Sequence, residues 1–519
     1  MFESGNSRYK QNKPVSMSCF HNYPGCIKSL GLKPYLLLFC LFLVSGSANA
    51  QQIYSLNMEQ AIAIAEKQSP DAILAKTKYR GSYWRYRYYR AAYLPALSLA
   101  ATLPDITKSY SQIILPDGSE AFVQQSLSTS SLNLSLTQQI GLTGGSIFLN
   151  SGLQRIDLFN TPSTSYLSTP VSIGFTQPIF TYNDLKWQKR IEPLYFQEAR
   201  RQYVSDLEDI HIKTITLFFG VLAAQSNIQE ANLNKANSDT LYKLGQGRYQ
   251  LGRIAENELL QLELNNLNSG LAVQQNSITY NAALGSLKSF LGLDAKDSIQ
   301  LQLPDIPDSD KVNIAFAALQ ANNNNPLSIT LNRQAMEAAR DVAKAVGTNG
   351  VQGNLFAQYG LSGNASLLTQ AYANTLDQEQ LRFGLTVPIL DWGKAKGAIE
   401  MARAQQELAT TNIKKAKTDF EQQVTLDAEE YNLANNQLII ARKADDVGQR
   451  RYYIAKQRYL LGKIGITDLN IAQSDRDAAK RAYIDVLKNS WITYYTLRKI
   501  TLYDFKKLMT LDQEVTGVF

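Results

Sequence analysis

The chain is poor in the residues that carry most chemistry. Of 519 residues, three are cysteine and two are histidine. Cys19, Cys26 and Cys40 all precede residue 51. If the leader described below is removed, no thiol remains and His211 is the one histidine. Zinc fingers, iron–sulfur clusters, disulfide frameworks and Cys-His nucleophiles are then excluded. No Ser-His-Asp set can be assembled beyond that single histidine, and no carboxylate pair stands out from a solvated helix face. An enzyme is therefore not expected, nor a cofactor or a metal site. Past residue 50 there is no run of eighteen apolar residues, so no membrane-spanning helix is expected there. Strands remain a possible route into a bilayer. Strong charge is missing too: the net is +7, and Arg8, Lys10, Lys13, Lys28 and Lys33 against Glu3 place four of those charges in the leader. A nucleic-acid partner is not expected.

Apolar residues make up 45% of the chain, enough for a sizeable core, and disorder is excluded. Residues 35–44 form an apolar run of ten, with Lys28 and Lys33 before it and Ser47-Ala48-Asn49-Ala50 after it. This pattern predicts a leader over 1–50 with a secretory signal peptide cut after Ala50. The rival, a lipoprotein signal acylated at Cys40, lacks the small residues that should precede the cysteine. Met17 would give a more ordinary start.

Proline is absent from 194 to 303 and from 389 to the end. Two long proline-free stretches alternating with proline-bearing ones suggest a duplication. At an offset of 210, Gly174-Phe175-Thr176-Gln177-Pro178-Ile179-Phe180 matches Gly384-Leu385-Thr386-Val387-Pro388-Ile389-Leu390, and Arg248-Tyr249-Gln250-Leu251-Gly252-Arg253 matches Arg458-Tyr459-Leu460-Leu461-Gly462-Lys463. Glu258-Leu259 matches Asp468-Leu469 at the same offset. Ser69-Pro70 and Asn325-Pro326 lie 256 apart, so the first copy is longer, with its extra length between 95 and 174.

The proline-free stretches read as helix. Ala409, Ile413, Ala416, Phe420, Val424, Ala428, Tyr431, Ala434 and Leu438 recur with a mean step near 3.6. Lys414, Lys415, Asp419, Glu421 and Gln422 on the other face should be wet. A helix of about 70 residues reaches about 100 Å. Gly252 and Gly462 interrupt the pattern as turns at hairpin tips. Segments before the helices alternate with period two: Val171, Ile173, Phe175; Phe383, Leu385, Val387, Ile389; Leu132, Leu134, Leu136; Leu355, Ala357, Tyr359, Leu361. Such strands suit a soluble half-buried sheet or a membrane barrel wall. Export and the small number of strands favour the barrel, with its edges closed by other copies of the chain.

These residues together resemble the TolC-type outer membrane factor family of Gram-negative bacteria. The resemblance rests on the duplicated strand exits and hairpin tips and on the opening helix Met58-Glu59-Gln60-Ala61-Ile62-Ala63-Ile64-Ala65 before Ser69-Pro70, and it spans about 51–500. It implies a mainly α protein with membrane β: a tandem repeat of a strand pair plus a long helical hairpin. Four strands per chain would close a trimeric 12-stranded β-barrel that continues into a periplasmic α-barrel. The implied layout is a first repeat at 51–293 (helix, strands about 94–180, hairpin about 183–291), a linker or equatorial segment at 294–325, a second repeat at 326–500 (helix, strands about 352–390, hairpin about 394–500) and a C-terminal tail at 501–519. The implied role is a passive export duct of a tripartite efflux or type I secretion system, in the outer membrane and reaching into the periplasm. Its partners would be two further copies, a periplasmic adaptor and an inner-membrane pump. Gly252, Arg253, Gly462 and Lys463 would face the adaptor. Glu258, Glu263 and Asp468 are candidates for the periplasmic constriction; a second acidic ring is in doubt because the matching position is Ile471. The alternative is a pore-free periplasmic coiled-coil protein with a structural or adhesive role.

Tyr83-Trp84-Arg85-Tyr86-Arg87-Tyr88-Tyr89-Arg90 interleaves aromatics with arginines. Such a run can bind single-stranded nucleic acid, but export argues against that. Its place just before the first strand suits an interfacial girdle built by Tyr83, Trp84, Tyr86, Tyr88 and Tyr89; packing against a neighbouring helix is the other reading. Gly245-x-Gly247 lacks the strand and Lys-Ser/Thr ending of a phosphate loop. His211 reads as packed or solvated. Segment 125–170 exceeds what four strands need and reads as an extra hairpin.

Overall fold

A computed structural model describes residues 53–294, 298–307 and 311–511. The expected leader lies outside the described residues. Each repeat opens with two helices that turn at a proline. In the first they are α1 (Met58–Gln68) and α2 (Pro70–Ala91). The Ser69 hydroxyl accepts from the Ala72 amide at 3.1 Å, and Pro70 fills the first helical position, where its missing N–H costs nothing.

The strands β2 (Ala96–Ile114), β3 (Glu120–Ile140), β4 (Gly145–Leu158) and β5 (Ser163–Ile179) follow. Next come α3 (Asp184–Gln250) and α4 (Glu256–Leu291). The second repeat has α5 (Ile314–Asn324), α6 (Pro326–Asn349), β7 (Gln352–Ala365), the short α7 (Leu368–Ala373), β8 (Leu376–Thr386), α8 (Lys394–Leu460) and α9 (Ile466–Thr501). Strand β1 (Ile53–Leu56) pairs in parallel with β6 (Ser298–Leu301) across the repeats. Segment 294–325, expected as linker or equatorial segment, thus holds β6 and α5, and α5 is the counterpart of α1 at the offset of 256. In the tail, Tyr503–Asp504 and Met509–Thr510 pair, and Leu511 is buried beside Leu502 and Val204.

The two hairpins are equal in length: 67 residues descend and 36 return in each. The descending arms measure about 100 Å at 1.5 Å per residue. The main core lies where α1, α3, α4, α8 and α9 meet the β1–β6 pair, around Met58, Phe218, Phe219, Leu287, Leu438 and Leu487.

The strand count corrects the expectation of a strand pair in each repeat. One antiparallel sheet holds six strands in the order β2-β3-β4-β5-β7-β8. Four come from the first repeat and two from the second, so three copies do not make a 12-stranded barrel from these strands. At the offset of 210, β4–β5 corresponds to β7–β8 and β2–β3 has no counterpart. The extra hairpin is therefore Ala96–Ile140, inside the 95–174 interval expected to hold the extra length; it begins upstream of the 125–170 segment singled out from sequence and shares 125–140 with it.

Candidate functional site

The sheet has two chemically different faces, and its register shows them directly. Residues opposed across neighbouring strands share a face. One row runs Leu97, Leu136, Leu149, Ile173, Tyr359, Glu379. The adjacent row, on the opposite face, runs Ser98, Ser135, Asn150, Ser172, Gly360, Gln378. On the polar side the Ser135 hydroxyl donates to Asn150 Oδ1 at 2.6 Å. Among the described residues no layer covers the apolar side: Leu97 is 67% exposed and Leu381 78%. A soluble half-buried sheet would have buried that face.

Strand passes into helix over a few residues. The Asn183 side chain accepts from the Lys186 amide at 3.0 Å and caps α3. The Asp391 carboxylate accepts from the Gly393 and Ala395 amides at 2.9 and 2.8 Å and starts α8; these two bonds hold its pKa low. Phe180, Ile389, Leu390 and Trp392 stand exposed at these junctions. Phe180, Ile389 and Leu390 belong to the duplicated strand exits read from sequence; Trp392 was missed, because a single aromatic in a connecting loop carries no period.

The hairpin tips are built alike. Arg253 N–H donates to the Arg248 carbonyl at 2.9 Å and Gly252 N–H to Tyr249 at 2.8 Å; Lys463 donates to Arg458 and Gly462 to Tyr459, both at 2.9 Å. This bond pair ends a helix with a left-handed residue. Gly252 and Gly462 both have φ of 68°, which a side chain would resist. Arg253 and Lys463 are exposed beside them. The two tips also touch. Arg248 Nη2 donates to the Leu460 carbonyl at 2.9 Å, and its guanidinium lies 5.7 Å from the Tyr459 ring. Leu241, Leu262, Tyr452, Tyr459, Ile466 and Leu469 form a small core beneath. Above it Arg476 lies 4.2 Å over the Tyr452 ring and reaches Glu230 at 3.0 Å.

Glu258 and Asp468 occupy corresponding places in the first turns of α4 and α9, where carboxylates complement the helix dipole. Neither helix has a side-chain cap, so this placement has a structural use as well. Asp468 is exposed, whereas Glu258 is half-buried and faces Tyr459. Glu263 lies further along α4, half-buried. The structure thus brings Glu258 and the second tip together.

The aromatic run lies on α2 and divides in two. Tyr86 stacks on Phe196 of α3 at 4.8 Å, Tyr83 lies 6.3 Å from the same ring, and Tyr89 meets Tyr93 edge-on at 5.2 Å. Arg85 covers the Tyr195 ring at 3.9 Å and pairs with Glu192 at 2.7 Å. These residues do the work of helix packing. Trp84 and Tyr88 point away, 61% and 79% exposed.

The helical layer has two unpartnered edges. Helix α4 packs on α3 and α1, while α8 packs on α9, α6 and α5. On α4, Leu260, Leu264, Leu267, Leu271 and Ile278 are exposed; on α8, Leu426, Leu433, Ile440, Val447 and Ile454 are, with Leu461 just beyond. The α8 set steps by seven, the spacing of a helix seam. Sequence reading followed the 3.6-residue stripe on the buried face and passed over this second one.

His211 is buried within an ion network that joins α1, α3, α9 and the tail. Arg498 donates to Glu208 at 2.8 Å and to Asp504 at 3.2 Å, and His211 lies 3.3 Å from Glu208 and against Glu66. Burial would push the imidazole down, but the Glu208 and Glu66 carboxylates beside it outweigh burial and raise its pKa to about 9. The network ties the repeats together and contains no nucleophile. Among the described residues no cluster of His, Cys, Asp and Glu could hold a metal ion, and no helix is long and apolar enough to cross a membrane.

Residues 318–501 match the family described as outer membrane efflux protein. This region is an outer membrane efflux protein domain. It covers most of the second repeat. The wider fold is shared with solved channels: CmeC of Campylobacter jejuni, an outer membrane channel, is 15% identical with a TM-score of 0.61 over 86% of this chain and 85% of its own. VceC of Vibrio cholerae, an outer membrane protein, is 14% identical with a TM-score of 0.61 over 86% and 95%. CusC, a transmembrane channel, is 14% identical with a TM-score of 0.60 over 88% and 95%. No curated protein matches the sequence. The fold of these solved structures therefore extends beyond the matched region and takes in the first repeat.

Proposed function

We propose that the chain is one third of a passive duct in the outer membrane of a Gram-negative bacterium. Three copies enclose a barrel in the membrane and continue as a helical tube through the periplasm. The observation that carries this reading is the continuity of wall and rod. A sheet with a bare apolar face and two unpaired edges runs directly into two hairpins about 100 Å long. Open edges are not tolerated in lipid, so the sheet needs partners. The stripes on α4 and α8 are suited to pair between subunits in the same way. No catalysis is needed, because the driving force would come from an inner-membrane pump.

In this reading Gly252, Arg253, Gly462 and Lys463 meet a periplasmic adaptor. Glu258, Glu263 and Asp468 line the constriction near the tips. Trp84 and Tyr88 lie at the periplasmic lipid interface, while Tyr83, Tyr86 and Tyr89 support them from the packed side of α2. The pump class, tripartite efflux or type I secretion, sets the cargo. Purified protein reconstituted into planar bilayers should give stepwise ion conductance. A pore-free coiled-coil protein would give none, and that result would reject the duct.

A further inference from the structure

The extra hairpin β2–β3 lies at one end of the sheet, and this position has consequences for assembly. We infer that β2 of one subunit pairs with β8 of the next, so that three copies close an 18-stranded barrel in which the inserted hairpin forms the seam. This rests on the proposed trimeric duct and specifies how its wall closes.

Three observations lead there. First, the hairpin belongs to the wall. The β3–β4 ladder is continuous from Leu127 to Ile140, and the apolar and polar rows pass through β2 and β3 without changing face. Detaching the hairpin would break that ladder and leave β4 as a raw edge in lipid. Second, the free edges are complementary. All five pairings in the sheet are antiparallel, so β2 and β8 run in opposite directions. A copy placed head to tail then adds another antiparallel ladder, and the ring closes with an even number of strands, as single-chain outer membrane barrels do. Third, the dimensions agree. β8 has 11 residues, within the roughly 9–11 that cross a bilayer. β2 and β3 have 19 and 21, so they cross and still extend beyond it. Past the length of β8 the hairpin carries Lys108, Gln112, Asp117 and Glu120 together with the exposed Tyr110, Ile114 and Phe122.

Barrel diameter grows roughly linearly with strand number, so eighteen strands give about one and a half times the width of twelve. A lumen of that width passes water and solute where a small barrel would be filled by side chains. The insertion therefore sets the bore of the outer end.

The test uses the chain without its leader, which is free of cysteine. Leu99→Cys on β2 is combined in turn with Leu381→Cys, Phe383→Cys and Leu385→Cys on β8, all on the apolar face. A parallel set puts Leu149→Cys on β4 with the same three. Mild oxidation of the assembled protein in lipid should yield covalent dimers and trimers from the β2 set only. Cross-linking from the β4 set, or from neither set in an intact trimer, would overturn the inference. Counting strands in a cryo-electron-microscopy section is the second reading: eighteen supports the seam. Twelve in a trimer refutes it yet leaves the duct standing, while a protein that forms no oligomer refutes both.

Discussion

The guanidinium of Arg248 donates to the carbonyl of Leu460 at 2.9 Å, so a charged hydrogen bond links one hairpin tip to the other. The repeat counterpart of Arg248 is Arg458, and the pairing is not reciprocal: Tyr459 is buried, while its counterpart Tyr249 is 42% exposed. Tip contact is thus asymmetric between the repeats, although the turns themselves are alike. Replacing Arg248 by Ala should loosen the tips by about 1 kcal/mol. Hydrogen exchange at 245–262 and 455–470 should speed up, with the sheet unchanged. Equal protection in the variant would remove this contact from the tip.

Glu258 and Asp468 sit at matching places in the first turns of the returning helices. Glu258→Gln and Asp468→Asn keep the shape and remove the charge. If these carboxylates line the constriction, single-channel conductance should rise and preference for cations should fall, most in the double variant. Conductance and selectivity equal to the parent in all three would take both residues out of the gate.

The Arg498–Glu208–His211 network makes a pH prediction. The folded-state pKa of His211 is raised to about 9 from 6.5, so the folded protein holds this proton more tightly. Its contribution to stability is fully present below about pH 6.5 and is lost as pH rises through about 9. The Glu66 carboxyl is shifted down, chiefly by its hydrogen bond from His211, so its contribution is present above its ordinary pKa and disappears in acid. Thermal stability should fall between pH 6.5 and 9 in the parent, and this slope should flatten in His211→Gln. Arg498→Ala leaves Glu208 and Asp504 buried without their cation and should cost about 3–5 kcal/mol. A parent whose melting temperature is level across that window would contradict the assignment.

Trp84 and Tyr88 are the exposed members of the aromatic run. In a variant retaining Trp84 as its one tryptophan, fluorescence in bilayers should be quenched most by lipids brominated near the headgroup. Quenching only by aqueous iodide would place α2 away from lipid.

How far the sequence could be read depended on how local each signal was. The long helices were legible because proline is absent and the buried stripe on α8 repeats over many turns. The tips were legible because a left-handed turn selects glycine at 252 and 462. The inserted hairpin was hidden by its own geometry. A bulge between Thr102 and Asp105 moves the outward side chains from odd positions, Leu97 and Leu99, to even ones, Ile106 and Tyr110. The alternation then cancels across the window, and Pro104 looks like an interruption. The network at His211 could not be anticipated, since Glu66 and Arg498 reach it from distant parts of the chain. The exposed α4 and α8 stripes were missed for another reason: each is the second periodic face of a helix already explained by its first.

The central claim is that the chain completes its wall only with copies of itself and encloses a lumen. Electron microscopy of the detergent-purified protein, with its mass measured by light scattering, tests this most directly. A threefold particle of three protomers, hollow along its axis from the strand end into the helices, is the predicted result. A monomer stable in water without detergent would contradict the account.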